Sequence, residues 1–296
     1  MNMNNSTQTT NTYMLNPEDP AETARLIDLD RTVTQEMGGP LVGVPDLPGG
    51  AQVLDVGCGP GGWVLDVAFE RPDIEVAGVD RSNILVEYAY ARARTQKLSN
   101  ASFGVMDITR PLDFSDNSFD LVNARFLTAS LSRDAWLPLL KECRRILRPS
   151  GLVRLTEPVD AGVTNSPAFE RFQVLIAQAA RQLGYGFSVD GRTFALSYML
   201  PRLLRQTGYH EISVQAYAQE ISYESLAAWT DFFHNARIAY ALGQSVLTTQ
   251  DLITQKAIEE LYQQMLIQMQ QHEFCGMWHW ISVLARKPAG STLEGE

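Results

Sequence analysis

Three aspartates in the first half of the sequence each end an apolar run. They are Asp55, Asp80 and Asp107. A carboxylate balances a cationic amino group and accepts hydrogen bonds from hydroxyl and amino groups. By these properties Asp55 suits an amino-acid moiety, Asp80 the hydroxyls of a ribose and Asp107 the amino group of an adenine. The three residues therefore predict a binding site for a nucleotide-like ligand.

A glycine-rich loop follows the first of these aspartates. Gly57, Gly59, Gly61 and Gly62 precede an apolar segment at residues 63–69, which indicates a strand, a tight turn and a helix. Glycines permit the sharp turn and let a ligand lie against bare backbone, and N–H groups at a helix start favour an anionic group. The same spacing fits a dinucleotide-binding loop, so a nicotinamide oxidoreductase is an alternative. The carboxylate before the loop argues against it, because it would repel a doubly negative pyrophosphate.

Five short motifs occur in unbroken order between residues 53 and 157. They are VLDVGCGPGGW (53–63), VAGVDRS (76–82), FGVMDI (103–108), SFDLVNARFL (118–127) and ECRRILRPSG (142–151). In this set and order, the chain resembles the class I S-adenosylmethionine (SAM)-dependent methyltransferases. One departure is Ser150, where many members of that family have glycine, in a turn remote from the cofactor.

The resemblance implies a place for each motif residue around SAM and its product S-adenosylhomocysteine. Asp55, Gly57, Cys58 and Gly59 would lie at the methionine end, and Asn123 would lie near the methionine amine. The residues implied at the ribose and the adenine are Asp80 for the sugar and Arg81, Met106, Asp107 and Ile108 for the base. In this family, segments before the first strand often close over the cofactor, which would make Tyr13 a lid residue. The alternative is that Tyr13 only anchors the terminus.

Alternating apolar strands and amphipathic helices with short joins predict the fold class. We expect an α/β, Rossmann-like fold with a mainly parallel seven-stranded sheet, helices on both faces and a helical cap. Ligands of such sheets bind beyond the carboxyl ends of the strands. The predicted divisions are a disordered tail at 1–15, a SAM-binding core with its leading helix at 16–157, 206–222 and 276–287, a cap at 158–205 and 223–275, and a flexible tail at 288–296.

The predicted cap is rich in aromatic residues and methionine, which suits an apolar, water-excluding substrate pocket. Trp229 and Phe233 are the candidate substrate contacts in it, and ordinary helix packing is the alternative for both. Arg125, just after Asn123, either holds an anionic group of the substrate or ties down the leading helix through an acid such as Glu22.

Methyl transfer from a sulfonium is an in-line displacement, so positioning of the acceptor supplies much of the rate. A base is needed only where the acceptor must lose a proton. The candidates are Glu157, just past the fifth predicted strand, and His234, on the aromatic helix. Their structural alternatives are a helix-capping or arginine-paired acid and a satisfied histidine.

Composition excludes several classes of protein. The formal net charge of −10 does not suit a nucleic-acid binder. The three cysteines are far apart, so neither a disulfide framework nor a metal site is predicted. No apolar run approaches the roughly 20 residues that span a bilayer, and the start of the chain does not resemble a secretory signal. These features predict a soluble, cytoplasmic protein, and they leave its oligomeric state open.

Together, these observations predict a SAM-dependent methyltransferase that acts on a small, apolar or aromatic metabolite. Within the class, the alternative is a quinone-precursor or lipid methyltransferase. Outside it, the alternative is a module that binds SAM or S-adenosylhomocysteine without catalysis. The aspartates alone do not separate catalysis from binding.

Overall fold

A computed structural model describes residues 19–289. It contains one mixed sheet with the strand order β3-β2-β1-β4-β5-β8-β6, and β7 pairs with β8. The strands are β1 (Gln52–Val56), β2 (Glu75–Asp80), β3 (Ala101–Val105), β4 (Phe119–Arg125), β5 (Leu147–Pro158), β6 (Val163–Thr164), β7 (His210–Glu220) and β8 (Gly276–Arg286). The helices are α1 (Pro20–Met37), α2 (Gly62–Glu70), α3 (Asn83–Gln96), α4 (Trp136–Ile146), α5 (Pro167–Gln182), α6 (Leu200–Gln206), α7 (Leu226–Thr249) and α8 (Gln255–Met269).

The sheet has the arrangement predicted for an α/β fold. Strands β1 to β5 are mutually parallel, and β8 runs antiparallel to β5, β6 and β7. The seven predicted strands are present, and the two-residue β6 adds an eighth. Asp55 on β1 lies opposite Asn123 on β4 and Gly78 on β2, so the predicted ligand-binding residues meet at one sheet edge.

Helix α1 precedes the sheet and packs beside α7. Its N-terminus is capped by Asp19, whose Oδ1 accepts a hydrogen bond from the backbone N–H of Ala21 at 2.8 Å, and Pro20 occupies the first turn. It ends at Gly38, where φ is 90°. Val33 is fully buried against the helices that follow the sheet, so α1 belongs to the folded core.

Helix α3 exposes two apolar residues at helical spacing, Ile84 and Tyr88. These two side chains are 51% and 41% exposed, whereas Leu85 and Ala89 are buried against the sheet. Single apolar residues on a solvent-facing surface are ordinary, so spacing alone did not identify the buried face.

Helices α5, α7 and α8 pack together and share an apolar core with β8 and α1. Helix α6 instead packs with α4 on the sheet, where Leu200, Leu203 and Leu204 join Leu140 in the main core. The predicted cap segment 158–205 therefore contributes to two different cores. The division into core and cap stays a prediction.

The predicted tails fall largely outside the described residues, which exclude 1–18 and 290–296. Between residues 19 and 289, none of the helices combines the length and apolar character needed to cross a bilayer. Over the same range, no cluster of three or more histidine, cysteine or acidic side chains is arranged to hold a metal ion.

Candidate functional site

A cavity lies at the carboxyl ends of β1, β2 and β4, and we call it the glycine-loop cavity. Seven of the residues predicted to bind the cofactor line it. They are Gly57, Gly59, Asp80, Arg81, Met106, Asp107 and Ile108. Leu26 of α1 also lines this cavity, as do Phe126 and Leu127 after β4.

Three glycines of the loop adopt positive φ, and two of them, Gly57 and Gly59, present backbone to this cavity. At Gly57, φ is 73°, and a Cβ atom there would lie 2.7 Å from a methyl carbon of Leu127. At Gly59, φ is 51°, and no atom lies within 4 Å of the Cβ position. A side chain at Gly57 would strain the loop, and Gly59 leaves open space for a ligand.

Asp80 is held by one hydrogen bond from the glycine loop and one from the start of α3. Its Oδ2 accepts a hydrogen bond from the N–H of Gly59 at 3.0 Å, and its Oδ1 accepts one from the N–H of Ser82 at 2.9 Å. Burial raises the pKa of Asp80, and these hydrogen bonds oppose the shift. Each oxygen keeps acceptor capacity, which suits a pair of ribose hydroxyls.

Asp107, which follows β3, also lines the cavity. Its Oδ1 accepts hydrogen bonds from the N–H of Thr109 at 2.9 Å and from the hydroxyl of Thr109 at 2.7 Å. Burial acts to raise the pKa of Asp107, but these bonds and the charges of Arg110 and Arg81 together lower it. Asp107 is therefore an ionised acceptor near neutral pH.

Asp55 and Asn123 lie beneath the loop and are not part of the cavity wall. The side-chain amide of Asn123 donates to Asp55 at 2.7 Å, and Nε of Arg154 donates to Asn123 at 2.8 Å. Arg154 also donates to the carbonyl of Pro40 at 2.6 Å. Burial raises the pKa of Asp55 to about 7, against the hydrogen bond from Asn123 and the charge of Arg154.

The sequence analysis did not identify Arg154 as a residue of the site. Its signal was available, since it is a charged residue in the middle of the apolar strand β5, and charged side chains are almost never fully buried unless paired. Cys58 also differs from the implied role. Its thiol is buried against Gly78 and Phe103 instead of lining the cavity, and burial raises its pKa well above the usual range.

Arg125 connects α1 to the end of β4. One of the two predicted interpretations was a contact of Arg125 with the leading helix through Glu22, but the acid in the structure is a different one. Its guanidinium pairs with Asp30 and donates to the hydroxyl of Thr34 at 2.9 Å. Glu22 instead pairs with Arg25 at 2.6 Å. A Cβ atom at Gly62 would collide with the Asp30 carboxylate, so α1 also packs closely on the start of α2.

A second cavity of about 190 Å³ lies between α1, α5, α7 and β8, and we call it the apolar cavity. Phe126 lines both cavities. It has a φ of 56°, which is uncommon for a non-glycine residue, and its ring lies 6.2 Å from that of Trp278. Arg25 and Leu29, one helical turn apart on α1, contribute to the apolar cavity, while Leu26 contributes to the other.

The candidate substrate contacts on α7 are displaced from this cavity. Trp229 and Phe233 stack on each other with ring centroids 5.2 Å apart, and the indole N–H of Trp229 donates to the carbonyl of Met269 at 2.8 Å. Phe232 and Tyr240, on another face of α7, line the cavity. Trp229 therefore packs against the end of α8, and neither Trp229 nor Phe233 lines the cavity.

The two candidate bases do not line either cavity. His234 is exposed on α7, where its Nδ1 lies 3.5 Å from a guanidinium nitrogen of Arg237. Glu157 is fully buried, and its carboxylate accepts hydrogen bonds from the N–H of Leu127 at 2.7 Å and from the N–H and hydroxyl of Thr128 at 3.1 and 2.5 Å. Burial raises the pKa of Glu157 to about 7. This acid therefore holds the loop after β4. Tyr13 lies outside the described residues.

Comparisons with known proteins agree with this geometry. Residues 53–151 match the family model described as a methyltransferase domain. The chain is 34% identical over 124 residues to phosphoethanolamine N-methyltransferase 3 of Arabidopsis thaliana, covering 42% of this chain and 24% of that protein. It is 29% identical over 162 residues to a demethylmenaquinone methyltransferase of Staphylococcus aureus, covering 54% and 61%. The chain thus spans less than two thirds of either relative.

A solved structure shares the fold at low sequence identity. It is phosphoethanolamine N-methyltransferase 2 of Haemonchus contortus in complex with phosphomonomethylethanolamine and S-adenosylhomocysteine, with a TM-score of 0.53 and 19% identity over 90% of this chain and 57% of that one. Residues 53–151 match a methyltransferase domain, and the sheet order and the glycine loop are consistent with the class I, SAM-dependent methyltransferases.

Proposed function

We propose that the chain transfers a methyl group from SAM to a small, largely apolar acceptor. The observation that carries the proposal is that the glycine-loop cavity and the apolar cavity share Phe126 as a wall residue. A donor in the first cavity and an acceptor in the second would therefore meet at the end of β4. Such a juxtaposition is what a displacement reaction requires, because its rate depends on the alignment of the reacting atoms.

The residues of the glycine-loop cavity fit SAM. The oxygens of Asp80 suit the ribose hydroxyls, and Asp107 is an acceptor for the adenine amino group. Asp55 is a buried carboxylate beneath the loop, and a cationic amine near the loop would favour its charged form, which burial disfavours. When bound, SAM would supply an activated methyl group, the acceptor would supply the electron pair of the new bond, and S-adenosylhomocysteine would be the leaving group.

The remaining residues orient and shield the reactants. Glu157 fixes the backbone at Leu127, and the pair of Arg125 with Asp30 fixes α1 against the sheet. Phe126 and Leu29 provide apolar surface on both sides of the acceptor and exclude water. None of these roles requires a base.

A quinone precursor is a second candidate acceptor. It is favoured by the apolar lining of the second cavity and by the similarity to a demethylmenaquinone methyltransferase. A quinone precursor is an apolar aromatic, so it falls within the proposed chemical class. An acceptor panel for the enzyme should therefore include quinols beside simple phenols.

The test has two stages. Isothermal titration measures the binding of S-adenosylhomocysteine and of NADH to the full chain. Assays with methyl-labelled SAM then screen phenols, quinols and amines as acceptors. Binding of S-adenosylhomocysteine with transfer to an apolar acceptor supports the proposal. Binding without transfer across the panel indicates a non-catalytic module, and binding of NADH alone refutes the assignment.

The variant Asp80→Asn sharpens the first stage. The amide replaces one charged acceptor with a donor, so we expect S-adenosylhomocysteine to bind about 10- to 100-fold more weakly, the range that corresponds to a lost charged hydrogen bond. Glu260→Gln, on the exposed surface of α8, is the matched control and should leave the affinity unchanged. Equal affinity of Asp80→Asn and the unmodified protein would rule out Asp80 as the ribose ligand.

A further inference from the structure

The apolar cavity contains one cationic side chain among its described lining residues, and the contacts of that side chain are already made. Nε and Nη2 of Arg25 donate to the two oxygens of Glu22 at 2.7 and 2.6 Å, and Nη1 donates to Asn235 at 2.8 Å. Glu22 is fully buried against Arg25, and their opposite charges compensate each other. A phosphate placed in this cavity would therefore find no uncompensated positive charge.

The cavity wall also carries a carboxylate. Asp160 lines it, with Oδ1 accepting a hydrogen bond from the N–H of Gly162 at 2.9 Å. No cation is paired with Asp160 among the described residues. An anionic ligand would be repelled by this charge in a site of low polarity. The electrostatics of the cavity thus select against phosphorylated acceptors.

A third wall residue is a hydrogen-bonding group without a partner. Tyr240 is only 6% exposed, and its ring packs against those of Phe169 and Phe172, with centroids 5.3 and 4.6 Å away. Its hydroxyl is buried and makes no hydrogen bond within residues 19–289. Burial raises the pKa of this phenol, so it remains a protonated donor at neutral pH. Buried hydroxyls in proteins are nearly always paired. Because Tyr240 also lines the apolar cavity, a ligand bound there is the candidate acceptor for its hydroxyl.

We propose that the apolar cavity binds an uncharged, ring-containing acceptor with one oxygen substituent, and that Tyr240 selects it by donating a hydrogen bond to that oxygen. The inference rests on the proposed methyl transfer only in calling the ligand an acceptor. Phenols, quinols and aromatic ketones meet this description. Phosphorylated amines and prenyl diphosphates do not.

Three matched probes test the proposal on the full chain at pH 7. They are naphthalene, 2-naphthol and 2-naphthyl phosphate, which share one ring system and differ in the polar group. Binding is followed by quenching of tryptophan fluorescence, because Trp278 lines the cavity. We expect 2-naphthol to bind about 3- to 10-fold more tightly than naphthalene, the range for one neutral hydrogen bond. We expect 2-naphthyl phosphate to bind most weakly.

Two tyrosine variants assign the preference to one hydroxyl. Tyr240→Phe should remove the advantage of 2-naphthol and leave the affinity for naphthalene unchanged. Tyr217→Phe is the matched control, since Tyr217 also has a buried, unpaired hydroxyl but lines neither cavity. It should behave as the unmodified protein does. Asp160→Asn removes the charge but keeps an oxygen that can accept the hydrogen bond from Gly162. It should reduce the difference in affinity between 2-naphthyl phosphate and 2-naphthol.

The contrary outcomes are distinct from failure of the proposed function. Tightest binding of 2-naphthyl phosphate, an unchanged 2-naphthol preference in Tyr240→Phe, or no binding of any probe would overturn the inference. Titration of S-adenosylhomocysteine into the same preparations reports on the methyltransferase assignment separately. It also shows that each variant is folded, because the glycine-loop cavity contains neither tyrosine.

Discussion

Replacement of Glu157 by glutamine separates a loop-positioning acid from a catalytic base. The carboxylate accepts hydrogen bonds from two backbone N–H groups and one hydroxyl, at Leu127 and Thr128. Glutamine keeps one acceptor oxygen but places an NH₂ group where the other oxygen was. At least one of these donors would then lose its acceptor, which destabilises the fold by about 1–3 kcal/mol.

The pH dependence of this effect follows from the raised pKa. Glu157 has a pKa of about 7 in the folded protein against an ordinary value of 4.5. Because the folded state favours the protonated acid, this contribution to stability is complete below pH 4.5 and is lost as the pH rises through 7. A pKa difference of this size corresponds to roughly 3 kcal/mol. Glutamine does not titrate, so the stability of the variant should not fall in this way as the pH rises through 7.

The assay is urea denaturation of both proteins between about pH 5 and pH 8 without ligand. We expect Glu157→Gln to be less stable at the acidic end of this range and the difference to shrink, or to change sign, at the alkaline end. Glu75→Gln, an exposed acid at the start of β2, is the control and should give a constant difference. If the free energies of unfolding of Glu157→Gln and of the unmodified protein changed in parallel with pH, Glu157 would not be a buried acid that titrates in this range.

Activity gives an independent readout for Glu157. Loss of a general base typically costs about 10²- to 10⁴-fold in kcat. A fall of that size with an unchanged unfolding free energy would assign Glu157 to proton transfer and contradict the positioning role. We expect instead that both the stability and the affinity for S-adenosylhomocysteine change, since Leu127 lines the glycine-loop cavity.

Two further substitutions test the elements that join the cavities. Phe126→Ala removes the ring that lines both cavities. We expect kcat to fall about tenfold or more and the affinity for S-adenosylhomocysteine to change little. An unaltered kcat would refute the role of Phe126 as a shared wall. Asp30→Asn leaves Arg125 buried without its partner charge, so urea denaturation should show that the free energy of unfolding falls by about 3 kcal/mol. A fall below about 1 kcal/mol would show that α1 is held by apolar packing alone.

The sheet was predictable because its strands are short apolar runs that end in polar residues at one edge. The parallel strands β1, β2 and β4 are buried on both faces, so their sequences carry a strong signal that does not depend on periodicity. The glycine loop was predictable for a related reason. Positive φ at Gly57 and Gly59 restricts those positions to glycine, and that restriction is visible in the sequence.

The helices after the sheet were less predictable because they have neighbours on more than one side. Helix α7 contacts α8 through Trp229 and lines the apolar cavity through Phe232. Both faces carry aromatic residues, so spacing could not distinguish the face that packs from the face that lines a cavity. The same ambiguity affected α3, where Ile84 is exposed and Leu85 is buried.

Partners of buried charges were the least predictable feature. Asp30 and Arg125 are 95 positions apart, and Arg154 reaches Pro40 across 114 positions. A sequence shows that a charge lies in an apolar run but does not show which distant group balances it. Pairing across such separations depends on the way α1 folds back over the sheet, which no local pattern encodes.

The buried polar groups around the two cavities hold backbone segments in place and are not arranged for proton transfer. Asn123 and Arg154 hold Asp55 beneath the glycine loop, and Glu157 holds the segment that carries Phe126 and Leu127. All of these groups support backbone that borders a cavity without lining that cavity themselves. A reaction whose donor is already activated needs accurate placement of two ligands, and fixed backbone on both sides of Phe126 provides it. The largely apolar lining of the apolar cavity then fits the proposed methyl transfer, because an acceptor site of this kind works by excluding water and aligning atoms.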